Sequence, residues 1–217
     1  MKIKYLGHAS FTITSEKGIK IIIDPYDPAY VSGDGPSYGD IQETADIVTV
    51  SHDHHDHNNV AAVQGNPEVV RGTTEAKGIK FKGILTHHDE AGGSKRGSNT
   101  ILCFEVDGVR VCHLGDLGHQ LSDKQVAEVG KVDVLLIPVG GFYTIDAVAA
   151  TQVCDQLKPG VILPMHFKTD KCDLPIAGVD EFLRDKKNVS RLDTSEVEFK
   201  AGGLPADTQI IILKPAL

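Results

Sequence analysis

The chain has 217 residues, of which 41% are hydrophobic and 24% are charged, and this ordinary globular composition favours a packed domain over long disorder. Lys and Arg number 22 against 30 Asp and Glu, giving a net charge of −8. We expect no nucleic-acid partner, because phosphate backbones are bound by basic surfaces. Since no apolar run approaches the about 20 residues of a membrane span, and the first residues alternate as in a strand, we expect a cytoplasmic protein without a membrane partner.

The amino-terminal part of the chain predicts a β-rich unit. The predicted strands span residues 3–6, 10–14, 19–24 and 46–50. A polar, Gly-rich loop at residues 25–40 is a candidate to border a site. A short helix is predicted at residues 58–64.

The remainder of the chain repeats this layout. A shift of 90 positions aligns Gly7 with Gly97 and Gly18 with Gly108, and a strand–turn–strand pattern lies between each pair of glycines. Ordinary hairpins can coincide in this way, but we expect a duplication. The sequence therefore predicts one α/β domain over residues 1–217. Its two similar β-rich halves, about 1–92 and 93–217, are expected to pack face to face with helices outside.

Three helices are predicted in the second half. Ser122 and Gln125 form a capping box for a helix at residues 123–129. Thr144 is expected to cap a helix at residues 145–157, and a third, shorter helix is predicted at 179–187. Further strands are predicted at residues 79–86, 109–114, 161–163 and 209–213.

The cysteines give no sign of a disulfide framework. They are separated by 9, 42 and 18 positions, and no CxxC pair occurs. We expect buried, reduced thiols, with a catalytic cysteine or a zinc–thiolate site as alternatives. The four residues are Cys103, Cys112, Cys154 and Cys172.

The strongest functional signal is the segment His52-x-His54-x-Asp56-His57, directly after a predicted buried strand. The chain has ten histidines, and four of them fall within six residues here. Side chains on a loop at a strand end can converge on a cavity. Imidazoles and a carboxylate crowded there would be costly to desolvate without a metal, whereas they suit Zn²⁺, Fe²⁺ or Mn²⁺. The segment predicts a metal site, with a solvated His-rich loop as the alternative.

Further candidate ligands follow other predicted strands. They are His87 or His88, Asp116 and His166. Only one of the two adjacent histidines can face a site, because neighbours on a strand point to opposite faces. With the segment above, these residues supply seven ligands, enough for two metal ions with coordination left open for water.

This series of residues resembles that of the metallo-β-lactamase superfamily of metal-dependent hydrolases, over essentially the whole chain. Asp24 matches the structural aspartate of that superfamily's first motif. The phrases Leu6-Gly7-His8-Ala9-Ser10-Phe11, Gly115-Asp116-Leu117-Gly118-His119 and Pro138-Val139-Gly140-Gly141 are similar to those of uncharacterised hydrolases related to L-ascorbate-6-phosphate lactonase. The resemblance implies a four-layer αβ/βα sandwich.

The resemblance also implies two adjacent divalent metal ions. The first would be held by His52, His54 and His88, the second by Asp56, His57 and His166, with Asp116 as the bridge. His88 is preferred to His87 because members of the superfamily usually place an acidic residue straight after that histidine, as Asp89 does here. Zn²⁺ is the expected metal, with Mn²⁺ and Fe²⁺ as alternatives.

Two such metals would activate a water molecule for hydrolysis, and Asp56 would belong to the catalytic centre. His8 and His119 are candidate catalytic residues at the cavity rim, as a proton donor or as support, with structural roles as the alternative. His113 is expected in the core. Residues expected to border the site are Tyr143 and, as candidates to contact an anionic substrate group, Lys168, Lys95 and Arg96.

The expected function is hydrolysis of a small-molecule ester or lactone, including a phosphorylated sugar acid. A phosphodiesterase is the second hypothesis, although the basic arm that such enzymes add for nucleic acid is missing from this sequence. Redox chemistry at a di-iron centre is disfavoured because redox relatives often carry Glu where this chain has His54. A metal-binding protein without turnover is the remaining hypothesis.

Overall fold

The structure, a computed structural model, describes residues 1–31 and 37–217, so part of the predicted loop at residues 25–40 lies outside the described residues. The strands are β1 Lys2–Gly7, β2 Ser10–Thr14, β3 Lys20–Ile23, β4 Ile47–Thr49, β5 Glu68–Val70, β6 Thr74–Ala76, β7 Ile79–His87, β8 Ser98–Val106, β9 Val109–His113, β10 Val134–Pro138, β11 Val161–Met165, β12 Val189–Arg191, β13 Glu196–Glu198 and β14 Gln209–Ile212. The helices are α1 Pro28–Val31, α2 Asp123–Val129, α3 Ala147–Leu157 and α4 Val179–Leu183, with a 3₁₀ turn at Val60–Ala62.

The first sheet has six strands in the order β13-β1-β2-β3-β4-β5. β1, β2 and β3 pair antiparallel, whereas β3, β4 and β5 pair parallel. β1 and β4 therefore run in the same direction and end at the same edge of the sheet. The turn after β1, which contains His8, and the segment after β4, which contains His52, both lie at this edge.

The second sheet has eight strands in the order β12-β14-β11-β10-β9-β8-β7-β6. β9, β10 and β11 pair parallel, and two successive antiparallel pairings give β7 the same direction as β9. The carboxyl ends of β7, β9 and β11 therefore meet at one edge. The predicted ligands His88, Asp116 and His166 follow these three strands.

The two sheets pack face to face over a shared hydrophobic core. Strand β10 shows the arrangement, because all of its residues are buried and alternate between two cores. Val134 and Leu136 face the core between the sheets, whereas Leu135 and Ile137 face the core under α2, α3 and α4. The outer face of the first sheet is covered by residues around α1, including Val31 and Tyr38. The expected αβ/βα sandwich with helices outside is confirmed.

The two halves of the predicted duplication contribute similar hairpins to different sheets. β2 and β3 pair around Gly18, and β8 and β9 pair around Gly108. The sheets nevertheless exchange strands across the predicted boundary, since β6 and β7 join the second sheet and β13 joins the first. The division into one domain with two halves stays a prediction.

The helix predictions are partly confirmed. Ser122 and Gln125 form the expected capping box of α2. The predicted cap of α3 is wrong, because Asp146 accepts the backbone N–H of Ala149, whereas the hydroxyl of Thr144 donates to the carbonyl of Ile145. α4 is shorter than predicted, and the helix predicted at residues 58–64 is a single 3₁₀ turn.

None of the helices in the described part of the chain has the length and apolarity needed to cross a membrane. All four cysteines are free thiols, as expected, and all but the half-buried Cys103 are buried. Cys103 lies opposite Cys112 on β8 and β9, with their sulfur atoms 3.4 Å apart.

Candidate metal centre

The loop after β4 and the end of β7 bring the first three candidate ligands together. Nε2 of His52 lies 3.1 Å from Nδ1 of His54. The His88 ring lies 4.9 Å from the His52 ring and 5.1 Å from the His54 ring, measured between centroids. One potential ligand atom from each of these three residues falls within 4.8 Å of the others. We call this group the first triad.

A second group lies beside the first, on the side nearer to β11. It contains Asp56, His57 and His166, with His8 as a fourth member, and their potential ligand atoms lie within 4.8 Å of one another. Nε2 of His57 is 3.6 Å from Oδ2 of Asp56. His8 is buried in the turn after β1, and its Nε2 is 3.1 Å from Oδ2 of Asp56. We call Asp56, His57 and His166 the second triad.

Asp116 lies between the two triads. Its Oδ2 is 3.1 Å from Nε2 of His88, in the first triad, and 3.3 Å from Nε2 of His166, in the second. Its Oδ1 is 3.2 Å from Nε2 of His57. A single buried carboxylate therefore contacts members of both groups.

Buried polar side chains hold the loop after β4 from behind. Asp24 directly follows β3 and is fully buried. Its Oδ2 accepts a hydrogen bond from Nδ1 of His57 at 2.8 Å, and its Oδ1 accepts the backbone N–H of Ser51 at 2.8 Å. The Ser51 hydroxyl lies 2.9 Å from Nδ1 of His52. Hydrogen bonds of this kind fix the orientation of imidazole ligands.

The loop after β9 is held by a residue on the neighbouring strand β8. Oδ1 of Asn99 accepts the backbone N–H of Asp116 at 3.0 Å. Its amide nitrogen donates to the carbonyl of Leu114 at 2.9 Å and to the hydroxyl of Thr86 at 2.8 Å. Asn99 and Ser51 were not identified from the sequence; the only signal for them is a polar residue in or beside an apolar strand.

The protonation pattern leaves a place for a cation between His57 and Asp116. Because the carboxylate of Asp24 can only accept, Nδ1 of His57 carries a proton, and Nε2 is the atom that could offer a lone pair to a metal. Nε2 of His57 and Oδ1 of Asp116 are both buried without a hydrogen-bond partner. Two such atoms 3.2 Å apart need a proton or a cation between them. The residues therefore fit a divalent metal ion with nitrogen and oxygen ligands.

Burial and neighbouring charges shift the pKa values of several side chains in the cluster. Burial, together with the neighbouring His57, lowers the pKa of His52 to about 3. Burial also lowers the pKa of His8 to about 4, with His166 adding to the effect. Burial raises the pKa of Asp116, but His166 and His57 outweigh it and hold that pKa well below its usual range. Burial lowers the pKa of His57, but Asp116 and Asp56 outweigh it and hold that pKa well above its usual range, so a metal ion bound at Nε2 would take the place of a proton.

Other predicted residues lie outside the cluster. His87 ends β7 with its ring 5.7 Å from that of His119, so the structure places His88 rather than His87 beside Asp116. Both ring nitrogens of His119 are used, since Nε2 accepts the backbone N–H of His87 at 3.1 Å and Nδ1 donates to the carbonyl of Gln120 at 2.7 Å. These two hydrogen bonds favour the structural role for His119, and its catalytic role stays a prediction.

His113 is buried as expected, with its Nε2 3.1 Å from the carbonyl of Ala9. Lys168 pairs with Asp173 at 3.1 Å and is not among the described residues that line the cavity at the cluster.

A cavity of about 390 Å³ opens directly over the two triads. Its described lining residues are Tyr30, His54, Asp56, His88, Lys95, Arg96, Asp116, Tyr143 and Leu174. A larger cavity of about 640 Å³ lies beside α3, and its described lining contains none of the candidate ligands. The smaller cavity is therefore the candidate substrate site.

Comparisons with known proteins agree with this fold and cluster. A family model described as "Beta-lactamase superfamily domain" matches residues 2–166. A UPF0173 metal-dependent hydrolase from Carboxydothermus hydrogenoformans is 31% identical over 198 residues, which cover 78% of this chain and 85% of that protein. A crystal structure of a metallo-β-lactamase superfamily protein from Thermotoga maritima is 38% identical with a TM-score of 0.79, covering 98% of this chain and 97% of that chain.

Similarity of fold extends further. Igni18, a metallo hydrolase from Ignicoccus hospitalis, has a TM-score of 0.64 at 22% identity, covering 99% of this chain and 95% of that chain. Two facing sheets with a His/Asp cluster at their common edge are the architecture of a metallohydrolase. The chain belongs to the metallo-β-lactamase superfamily, among the UPF0173 metal-dependent hydrolases, which confirms the resemblance found in the sequence.

Proposed function

We propose that this protein binds two divalent metal ions and hydrolyses a small ester or lactone. The observation that carries the proposal is the position of Asp116, whose carboxylate contacts His88 of the first triad and His57 and His166 of the second. A carboxylate that is shared in this way is suited to bridge two metals. Because both triads consist of histidine and aspartate, Zn²⁺ is the expected metal, and Mn²⁺ and Fe²⁺ fit the same ligands.

Divalent ions held by the two triads would supply Lewis acidity for a scissile carbonyl and would lower the pKa of water. The residues of the chain hold and orient the ligands. Asp24 fixes the ring of His57, Ser51 contacts His52, and Asn99 holds the backbone of Asp116. His8 contacts Asp56 and is proposed as a positioning residue.

The cavity supports a small-molecule substrate. Its volume of about 390 Å³ falls in the range of small-ligand sites. Tyr30, Tyr143 and Leu174 give it apolar walls beside the polar cluster. Hydrolysis of a phosphodiester is the second candidate, because Lys95 and Arg96 also border the cavity and the proposed metals suit phosphoryl oxygens.

Metal content and turnover of the same preparation test this function. Protein purified without added metal is expected to hold about two equivalents per chain. After reconstitution with Zn²⁺ or Mn²⁺, we expect turnover of lactones or carboxyl esters. Turnover of bis(p-nitrophenyl) phosphate alone would favour the second candidate, and two metals without any turnover would contradict hydrolysis of these substrate classes. Protein that binds no metal specifically would contradict the whole proposal.

Replacement of the shared ligand tests the bridge. Asp116→Asn keeps the side-chain volume but leaves one oxygen and no charge, so binding of both metals is expected to weaken at least about 100-fold. Chelator competition with Zn²⁺ measures the two affinities. Asp53→Asn is the matched control, because Asp53 lies in the same loop, is exposed and contacts Asn58 rather than the triads. Loss of only one metal in Asp116→Asn would contradict bridging.

A further inference from the structure

The loop that follows His88 is folded around a single carboxylate. Asp89 is buried, and its two oxygens accept the backbone N–H groups of Ala91, Gly93, Lys95 and Arg96, at 2.8, 2.9, 3.0 and 2.7 Å. The ends of the loop are joined as well, because the N–H of His88 donates to the carbonyl of Gly97 at 3.0 Å. Four donors on one carboxylate leave this backbone little freedom.

This loop places a guanidinium at the edge of the candidate substrate site. Arg96 borders the cavity together with His88 and Asp116. Its guanidinium carbon lies 5.6 Å from the ring centroid of Tyr143, which is cation–π distance. The stacked ring limits the rotamers of Arg96, so less conformational entropy is lost when its N–H groups bind a ligand.

The charge of Arg96 has no acidic counterpart among residues 1–31 and 37–217. Its neighbour Lys95 pairs with Glu90. The carboxylates of Asp56 and Asp116, which also border the cavity, are engaged by histidines of the cluster. The chain has a net charge of −8, yet the guanidinium of Arg96 borders the cavity and the described residues leave it unpaired. Such a cation favours binding of a negatively charged ligand.

We propose that Arg96 binds an anionic group of the substrate, so that the preferred ester or lactone carries a carboxylate or a phosphate away from the scissile bond. This inference rests on the proposed hydrolase function. The guanidinium offers two parallel N–H donors to such an oxyanion, and the ring of Tyr143 supports it from the other side. Arg96 is thereby a specificity-determining residue of the same site.

Binding of matched ligands tests the assignment without requiring turnover. 5-Oxohexanoate carries one carboxylate and a ketone that hydrolysis cannot cleave, and 2-hexanone is its neutral counterpart. In calorimetric titrations of metal-loaded protein, Arg96→Gln is expected to weaken binding of 5-oxohexanoate about 10- to 100-fold, as for loss of a charge-assisted hydrogen bond, and to leave binding of 2-hexanone unchanged. The affinity of Arg96→Lys for the anionic ligand is expected to lie between those of the wild type and Arg96→Gln, because lysine keeps the charge but loses the planar pair of donors.

A control variant and a second anion test whether the loss of affinity is specific to Arg96. Arg184→Gln removes an exposed arginine that is not among the described residues lining the cavity, and it should leave both affinities unchanged. Titration with methyl phosphate shows whether the phosphate or the carboxylate depends more strongly on Arg96. A wild-type protein that does not prefer either anion over 2-hexanone, or an Arg96→Gln variant with unchanged affinities, would overturn the assignment.

Turnover is compared in the same variants with mono-4-nitrophenyl glutarate and neutral 4-nitrophenyl butyrate. Arg96→Gln should raise KM for the anionic ester alone. If neither ester is hydrolysed by the wild-type protein, the proposed ester hydrolysis fails, while the binding ratios still decide the role of Arg96.

Discussion

His8 occupies a backbone conformation that few side chains adopt, and it does so beside a candidate metal ligand. Its φ is +52°, in the left-handed region that is unfavourable by roughly 1–2 kcal/mol for residues other than glycine. Two hydrogen bonds hold its carbonyl, from the hydroxyl of Tyr5 at 2.9 Å and from the N–H of His166 at 2.8 Å. The strained turn thereby presents Nε2–H to the carboxylate of Asp56.

Substitution of His8 separates a positioning role from direct metal ligation. His8→Gln can keep an N–H donor near the position of Nε2, so metal affinity should stay close to that of the wild type. His8→Ala removes the donor and should weaken Zn²⁺ binding about 10- to 100-fold. Both variants have the same strained backbone position, so the difference between them reports the side chain. Chelator competition measures the affinities, and equal losses in the two variants would contradict positioning through this hydrogen bond.

Residues with a role in the candidate site differ in how far the sequence predicts them. The ligands of the loop after β4 are predictable because four of them fall in one short segment at a strand end. Ser51 and Asn99 are not, since each is one ordinary polar residue whose partner comes from another segment, as Asn99 and Asp116 illustrate. The choice of His88 over His87 needed a resemblance, because strand alternation alone allows either.

Among the elements, the loop after β9 lies directly on the end of β7. The N–H of Gly118 donates to the carbonyl of His87 at 3.0 Å. A Cβ at Gly118 would overlap the backbone of His88 and Asp89. Because the two loops lie so close, Oδ2 of Asp116 comes within 3.1 Å of Nε2 of His88. Glycine is needed here for space rather than for an unusual φ.

Gly118→Ala is expected to push the two loops apart. The overlap should lower the free energy of unfolding by about 1–3 kcal/mol, the range for overpacking, and should weaken metal binding as His88 shifts. Urea unfolding of metal-free protein and chelator competition measure the two effects. Gly72→Ala is the control, because no described atom lies within 4 Å of a Cβ there. Equal stability of the two variants would contradict the tight contact.

The sequence predicts the bounds of a strand best where its alternation of apolar and polar residues is strong. Strand β7 has nine residues whose burial alternates, so its periodicity is clear, and the predicted range of residues 79–86 differs from the observed one by a single residue. The strands β5, β12 and β13 have only three residues each, most of them exposed, and the sequence does not predict them. They pair at or near sheet edges, where the neighbouring strand determines the conformation rather than the local sequence.

At the scale of the whole molecule, the candidate metal centre joins the two sheets. The loop after β4 belongs to the first sheet, whereas His88, Asp116 and His166 follow strands of the second. Each triad contains residues from both sheets, since His88 completes the first and His166 completes the second. A metal bound by either triad would therefore connect the sheets at one edge, in addition to the core that they share.

Removal of the metals is consequently expected to destabilise both sheets together. A ligand that binds only the folded state stabilises it by about 4 kcal/mol when present at about 1,000 times its Kd. Treatment with a chelator should thus lower Tm, and re-addition of Zn²⁺ should restore it. Because the core between the sheets is continuous, we expect one thermal transition before and after treatment, detected by calorimetry and by far-UV circular dichroism.

The Asp116→Asn variant provides the internal control for this experiment. If its metal affinity is lost, a chelator should lower its Tm no further, which separates the effect of the metals from any direct effect of the chelator on the protein. A wild-type Tm that does not respond to metal removal would contradict a metal connection between the sheets. Two separate transitions after metal removal would instead mean that the shared core alone does not couple them, and that the triads supply the coupling.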